Sequence, residues 1–194
     1  MAYTLQEKYD KIKAHLMAST ATDPILLMRE LMAEDFVDMH GPEHHFLDGA
    51  TLLAAYRNAG GVLKLGASLR KLAALIEGMD ACNDCAVCGA VASVEAALSL
   101  IRKSDPAANG REYRQHISYT SRAISELGRY GGPRCCKRNG FLAILLGVRF
   151  LAETYGINLT ATVSSCDFAP YNKQCLGALC PFFGGSKAMK DAGY

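Results

Sequence analysis

FLAILLGVRFLAETY, residues 141–155, decides the fold class: it is apolar nearly all round, and at this length it reads as a central buried helix. A strand of that length would be unusual, and the one charge in its middle, Arg149, stops the apolar run far short of the roughly 20 residues a membrane span needs. The expectation is a helix at the centre of a soluble domain.

Working outward from it, the segment before carries Ile117, Ile124 and Leu127 at helical spacing and stops near Gly131-Gly132-Pro133. Val91, Val94, Leu98 and Ile101 mark a further helix ahead of the Ser104-Asp105-Pro106 break, and Leu65, Leu69, Leu72 and Ile76 another. Asp48 reads as the cap of a helix with Leu52, Leu53 and Tyr56 on one face, ended by Gly60-Gly61. Asp23-Pro24 opens a helix as N-cap followed by proline at the first turn, and Leu5, Tyr9, Ile12 and Leu16 precede it. The sum is an all-α, single-domain bundle of about seven helices over residues 1–194, with cysteine-rich loops. Ile157–Val163 is short and β-branched enough to be extended, but one strand makes no sheet. From Ser164 onward, glycine, proline and cysteine recur without periodicity, so an irregular C-terminal tail is expected, held only if something ties it down.

Composition limits the function classes. At 194 residues, 50% hydrophobic and 21% charged, the chain is ordinary globular material that can bury a core without disulfides. A net charge of +2 with no long basic block argues against a nucleic-acid partner, and no apolar stretch argues for a membrane partner. Met1–Asp10 mixes charges and does not read as a secretory leader, so the expected location is the cytoplasm. A homodimer is the expectation from base rates.

Against a reducing cytoplasm, eight cysteines at 82, 85, 88, 135, 136, 166, 175 and 180 are informative, because clustered cytosolic thiols serve metal or redox chemistry more often than stapling. CNDCAVCG places Cys82, Cys85 and Cys88 as CxxCxxC leading into a helix, a spacing that lets three thiolates converge on one centre as in the first part of a bacterial ferredoxin motif. The helix start adds N–H groups that favour thiolate. The CxxxCxxC spacing of radical S-adenosylmethionine enzymes is not present in this run. Cys180-Pro181 is the attractive fourth ligand, since cysteine followed by proline completes the ferredoxin pattern. Cys135, Cys136, Cys166 and Cys175 remain as a second possible set, although neighbours such as 135 and 136 have difficulty ligating one ion together. An iron-sulfur cluster leads; zinc in a closed four-thiolate site competes. A disulfide, a redox dithiol or inert buried thiols are the plainer readings.

Two further strings carry chemistry. MHGPEHH, residues 39–45, places His40, Glu43, His44 and His45 in a turn between helices, where His40 and His45 suit a metal, and His44 or Glu43 suits proton movement. The plainer reading is a capped turn. His15 and His116 stand alone and read as structural or exposed. GGPRCCKR, residues 131–138, sets Cys135 and Cys136 among Arg134, Lys137 and Arg138 before a helix start. Arg134 and Lys137 suit a small anionic substrate, and thiols beside cations are expected to be acidic and reactive, so either cysteine is a candidate nucleophile in a metal-free thiol enzyme. Arg57 is a weaker candidate for the anion, since an arginine at a helix C-terminus has an electrostatic reason to be there.

Taken together, HGPEHHFLDGATLLAAYRNAGG, the CxxCxxCGA segment, GGPRCCKR and the closing Cys166, Cys175 and Cys180-Pro181 resemble the domain-of-unknown-function family DUF5714 over roughly residues 28 to 183. EGMDACNDCAVCGAV carries less glycine than members resembling it often show there. The resemblance implies anaerobic biology, which suits an oxygen-sensitive cluster, and implies no reaction. The functional expectation is a cytosolic metal-binding protein, iron-sulfur first, with a redox role or an electron-transfer protein as partner. The alternatives are a zinc-binding structural or delivery module and a thiol enzyme.

Overall fold

The computed structural model describes residues 3–77, 88–104, 110–163 and 165–184. Cys82 and Cys85 lie outside the described residues. Seven α-helices stand among those described: α1 (Leu5–Ala18), α2 (Pro24–Met32), α3 (Glu43–Asn58), α4 (Leu65–Ile76), α5 (Gly89–Arg102), α6 (Gly110–Gly128) and α7 (Cys136–Tyr155). Local chemistry accounts for several of the ends. Thr4 and Glu7 form a reciprocal capping box on α1. The Asp23 carboxylate accepts from the Ile25 and Leu26 N–H groups at 2.8 and 3.3 Å, with Pro24 pre-set at the first turn of α2. Gly156, at φ +67°, ends α7 in the left-handed conformation that favours glycine.

The central helix is α3 rather than α7. Every residue from Glu43 to Ala55 is buried, and α3 packs against α1, α2, α4, α5 and α7. Gly49, Ala50, Ala54 and Ala55 keep its girth small enough for neighbours to close on all sides. At Gly49 the approach is closest: an added Cβ would lie 2.4 Å from the Ser93 carbonyl oxygen of α5, and the Gly49 N–H donates to Ser93 Oγ at 2.8 Å. By contrast α7 keeps an open side through Arg149 and Glu153.

Two other expectations shift. Asp48 caps nothing; it sits in the second turn of α3, wholly buried. On α6 the buried face is His116, Tyr119 and Ala123, leaving Ile117 and Ile124 half exposed. The Tyr119 hydroxyl donates to the Ala143 carbonyl at 3.2 Å, and His116 meets Ser104 and the Glu95 carboxylate, so polar anchors turned the helix about its axis.

No strand forms among the described residues, and 157–163 runs as irregular chain. The tail folds back through two 3₁₀ turns, Ala169–Tyr171 and Gly177–Leu179. Phe182 is completely buried, edge-on to Phe141 at 5.5 Å, the Cys166 N–H donates to the Phe182 carbonyl at 2.9 Å, and Arg29 pairs with Asp167. No described helix is long and apolar enough to cross a membrane.

Candidate functional site

The first turn of α3 and the loop before it are fastened by buried charge. Lys137, on the first turn of α7, donates from Nζ to the Asp38 and Met39 carbonyls at 2.7 and 2.9 Å and lies 3.2 Å from His44 Nε2. Two of its three ammonium protons are therefore directed to this loop, and His44 Nε2 also stands 2.9 Å from the Asp38 carbonyl. Glu43 accepts the Asp38 N–H at 2.7 Å and stands 3.4 Å from Lys8 Nζ. Burial works against the Lys8 charge, but Asp38 and Glu43 outweigh it and hold the amine above its ordinary range. Burial, reinforced by Lys137, drives His44 down to about 3, so it is neutral. Glu43 and His44 thus hold the loop, and a histidine titrating near 3 is a poor proton carrier at neutral pH.

The fastened turn forms one wall of a cavity of about 380 Å³, the size of a small-molecule site. His40, His44, His45 and Asp48 come from the loop and α3, Cys88 from the N-cap of α5, Arg134 from the loop before α7, and Cys136 and Asn139 from the first turn of α7. Gly89 lets α5 approach, since a Cβ there would fall 2.2 Å from His45 Cδ2. Gly140 does the same for α7, with Asp48 Oδ1 at 2.8 Å from the position a Cβ would take.

Asp48 is the residue the sequence reading missed. Neither carboxyl oxygen has a hydrogen-bond partner, and burial, opposed by the Lys137 charge, pushes its pKa well above its ordinary value. His44-xxx-Asp48 spacing on one helix face was the available signal; the following glycine made Asp48 look like a cap. His40 donates to or accepts from Asn172 Oδ1 at 3.2 Å through Nε2, and its Nδ1 is buried without a partner.

The adjacent cysteines face different cavities. Cys135 is the extended N-cap of α7 and Cys136 its first helical residue, and the change of backbone direction between them sends the side chains apart. Cys136 lines the large cavity with Cys88. Cys135 lines a second, much smaller space of about 20 Å³ with Cys166, Cys175 and Cys180. Cys180 therefore groups with the tail cysteines and Cys135, not with Cys88. Two amides link the sites: Asn172 reaches His40 on one side and donates to Cys135 Sγ at 3.5 Å on the other, and Asn139 donates to Cys88 Sγ at 3.4 Å while accepting from Arg138 Nε at 3.4 Å.

The thiols of the large cavity are not acidic. Burial pushes Cys136 up to about 12 despite Arg134, Lys137 and the Gly41 N–H, and it raises Cys88 against the Ala90 N–H and Asn139. Desolvation outweighs the cations at Cys136, which reverses the expectation drawn from GGPRCCKR. Arg57 lies elsewhere: its guanidinium donates to the Leu16 and Ser19 carbonyls at 3.1 Å each and closes the C-terminus of α1.

Among the described residues, no three His, Cys, Asp or Glu side chains stand ready-grouped to hold an ion. The class is nonetheless plain in outline: an all-α protein with a cavity whose lining includes histidine, cysteine and aspartate at the junction of its central helices. Residues 12–183 match a family of unknown function, DUF5714, and the chain belongs to that family. No curated protein matches, and no solved structure matches.

Proposed function

We propose that the protein is a metal-binding protein whose principal centre, an iron-sulfur cluster, is held at the large cavity and serves a redox or electron-transfer role. One observation carries the reading: Cys88 and Cys136, far apart in sequence, line one cavity with His40 and the unpartnered Asp48 carboxyl. Buried polar atoms left without partners fit a site that takes a further group. Cys88 belongs to the CxxCxxC run, so Cys82 and Cys85 are its natural co-ligands, and Cys136 replaces Cys180 as the fourth. A cluster would supply one-electron chemistry. The chain's own part is to bring thiol, imidazole and carboxyl groups into one cavity and to place Arg134 at its wall for a small anion.

Zinc is the second reading, favoured by the imidazoles and carboxyl that share the cavity with the thiols. A metal-free thiol enzyme at Cys136 is disfavoured, since a thiol pushed to about 12 holds almost no thiolate at neutral pH. Anaerobic purification followed by an absorption spectrum and metal analysis tests the reading. Brown protein with iron and sulfide is expected, with iron falling several-fold in Cys88→Ser and Cys136→Ser. Colourless protein with stoichiometric zinc sinks the cluster, and iron unchanged in both variants sinks its location.

A further inference from the structure

The second space gathers Cys135, Cys166, Cys175 and Cys180 from the start of α7 and from both arms of the folded-back tail. It stands apart from the large cavity, and none of its four thiols is in a disulfide. Its free volume of about 20 Å³ is room for roughly one water-sized body, which suits a single ion and not a multinuclear cluster.

Each sulfur also has its own backbone N–H. Gly177 donates to Cys175 Sγ at 3.4 Å and Arg138 to Cys135 Sγ at 3.5 Å, while burial raises the Cys166 thiol to about 11 and raises Cys180 too, the Phe168 and Phe182 N–H groups offsetting part of it. Three of these four donors lie two residues beyond their cysteine, so the chain turns in the same way around each of Cys166, Cys175 and Cys180. N–H donors aimed at sulfur stabilise thiolate charge, a benefit that a neutral thiol in an apolar space scarcely uses. Lys137 and Arg138 line the same space and offset negative charge there. Phe168, Leu176, Phe182 and Phe183 supply its apolar walls.

We propose that Cys135, Cys166, Cys175 and Cys180 form a structural tetrathiolate site for one divalent thiophilic ion of the zinc type, distinct from the centre at Cys88 and Cys136. On binding, the ion forms four metal–sulfur bonds, four thiols lose their protons to solvent, and the centre carries a net charge of −2. Nothing is oxidised or reduced. Because the sulfurs are not ready-grouped, they draw inward by side-chain rotation, and the tail is locked onto α7 as they do. The site's existence does not depend on what the large cavity holds.

The test uses the full chain, stripped of metal under anaerobic reducing conditions and titrated with Co²⁺ and then Zn²⁺. In Cys88→Ser/Cys136→Ser, one equivalent of Co²⁺ should give the intense sulfur-to-metal charge-transfer and tetrahedral d–d bands of a thiolate site, bleached by one equivalent of Zn²⁺. Adding Cys166→Ser/Cys175→Ser to that variant should abolish those bands. Absence of bands in the first variant, or their persistence in the second, overturns the site. Should the second variant fail to fold, alkylation of the wild-type chain decides: Zn²⁺ should slow labelling of Cys135, Cys166, Cys175 and Cys180 at least tenfold, and unchanged labelling of these four overturns the proposal. A wild-type chain that keeps this protection yet carries no iron sinks only the reading of the large cavity.

Discussion

Asp48 concentrates the energetic tension of the molecule in one side chain. A carboxyl with both oxygens buried and unpaired has its pKa raised by that burial, so its ionised form costs the folded chain stability. Asp48→Asn removes that cost while keeping the shape. The metal-free variant should be more stable than wild type at pH 7, read as a higher melting temperature. A lower melting temperature would show that Asp48 has a partner in solution. The same scale explains what the sequence could not display. Arg57 and Lys137 look like free chemistry in a string of letters, yet each donates to backbone carbonyls, an outcome fixed by neighbours about 40 and 100 residues away.

At the scale of elements, the helix ends were legible because they depend on adjacent residues: Asp23-Pro24 and the glycines at 60 and 61 act within one turn. Which helix lies at the centre was not. The polar residues Glu43, His44, His45, Asp48 and Thr51 disguise α3, since hydropathy ranks them as surface, while the tertiary structure buries them to build the site. The face of α6 was misread by about one residue for a related reason, with His116 and Tyr119 buried through hydrogen bonds that periodicity does not register. The crossing of α3 and α5 yields its own prediction. In Gly49→Ala the new methyl meets backbone of Ser93 and cannot be relieved by a rotamer, so thermal unfolding should show a loss of about 1–3 kcal/mol. Stability equal to wild type would mean that the helices can part there.

For the whole molecule, two buried groups respond to acid in opposite directions. His44 has its folded pKa lowered from 6.5 to about 3, so as pH falls below 6.5 the unfolded chain gains a proton that the folded chain refuses, and stability is lost. Asp48 has its folded pKa raised above 3.8, so its contribution is full at pH below 3.8 and is lost progressively as pH rises from there through the raised folded pKa. Between these limits the two slopes oppose each other. In metal-free protein, Asp48→Asn should therefore lose stability more steeply than wild type from pH 6.5 to pH 4, by up to about 1.4 kcal/mol per pH unit. Parallel profiles in chemical denaturation would refute the pairing. The amides of Asn172 and Asn139 bind the two cavities into one region at the start of α7, so the cysteines that sequence ordered as 82-85-88 and the rest are sorted instead by which side of that helix start they face. By itself the sequence determined an all-α chain, most of its helix ends, its family and the cysteine-rich strings, because these follow from short-range chemistry and from motif identity. Only the tertiary structure separated Cys135 from Cys136, joined Cys180 to the tail, and turned Asp48 from a cap into the buried carboxyl of a cavity. Side-chain direction at a helix start and burial of polar groups are set by contacts between distant segments, and spacing along the chain does not encode them.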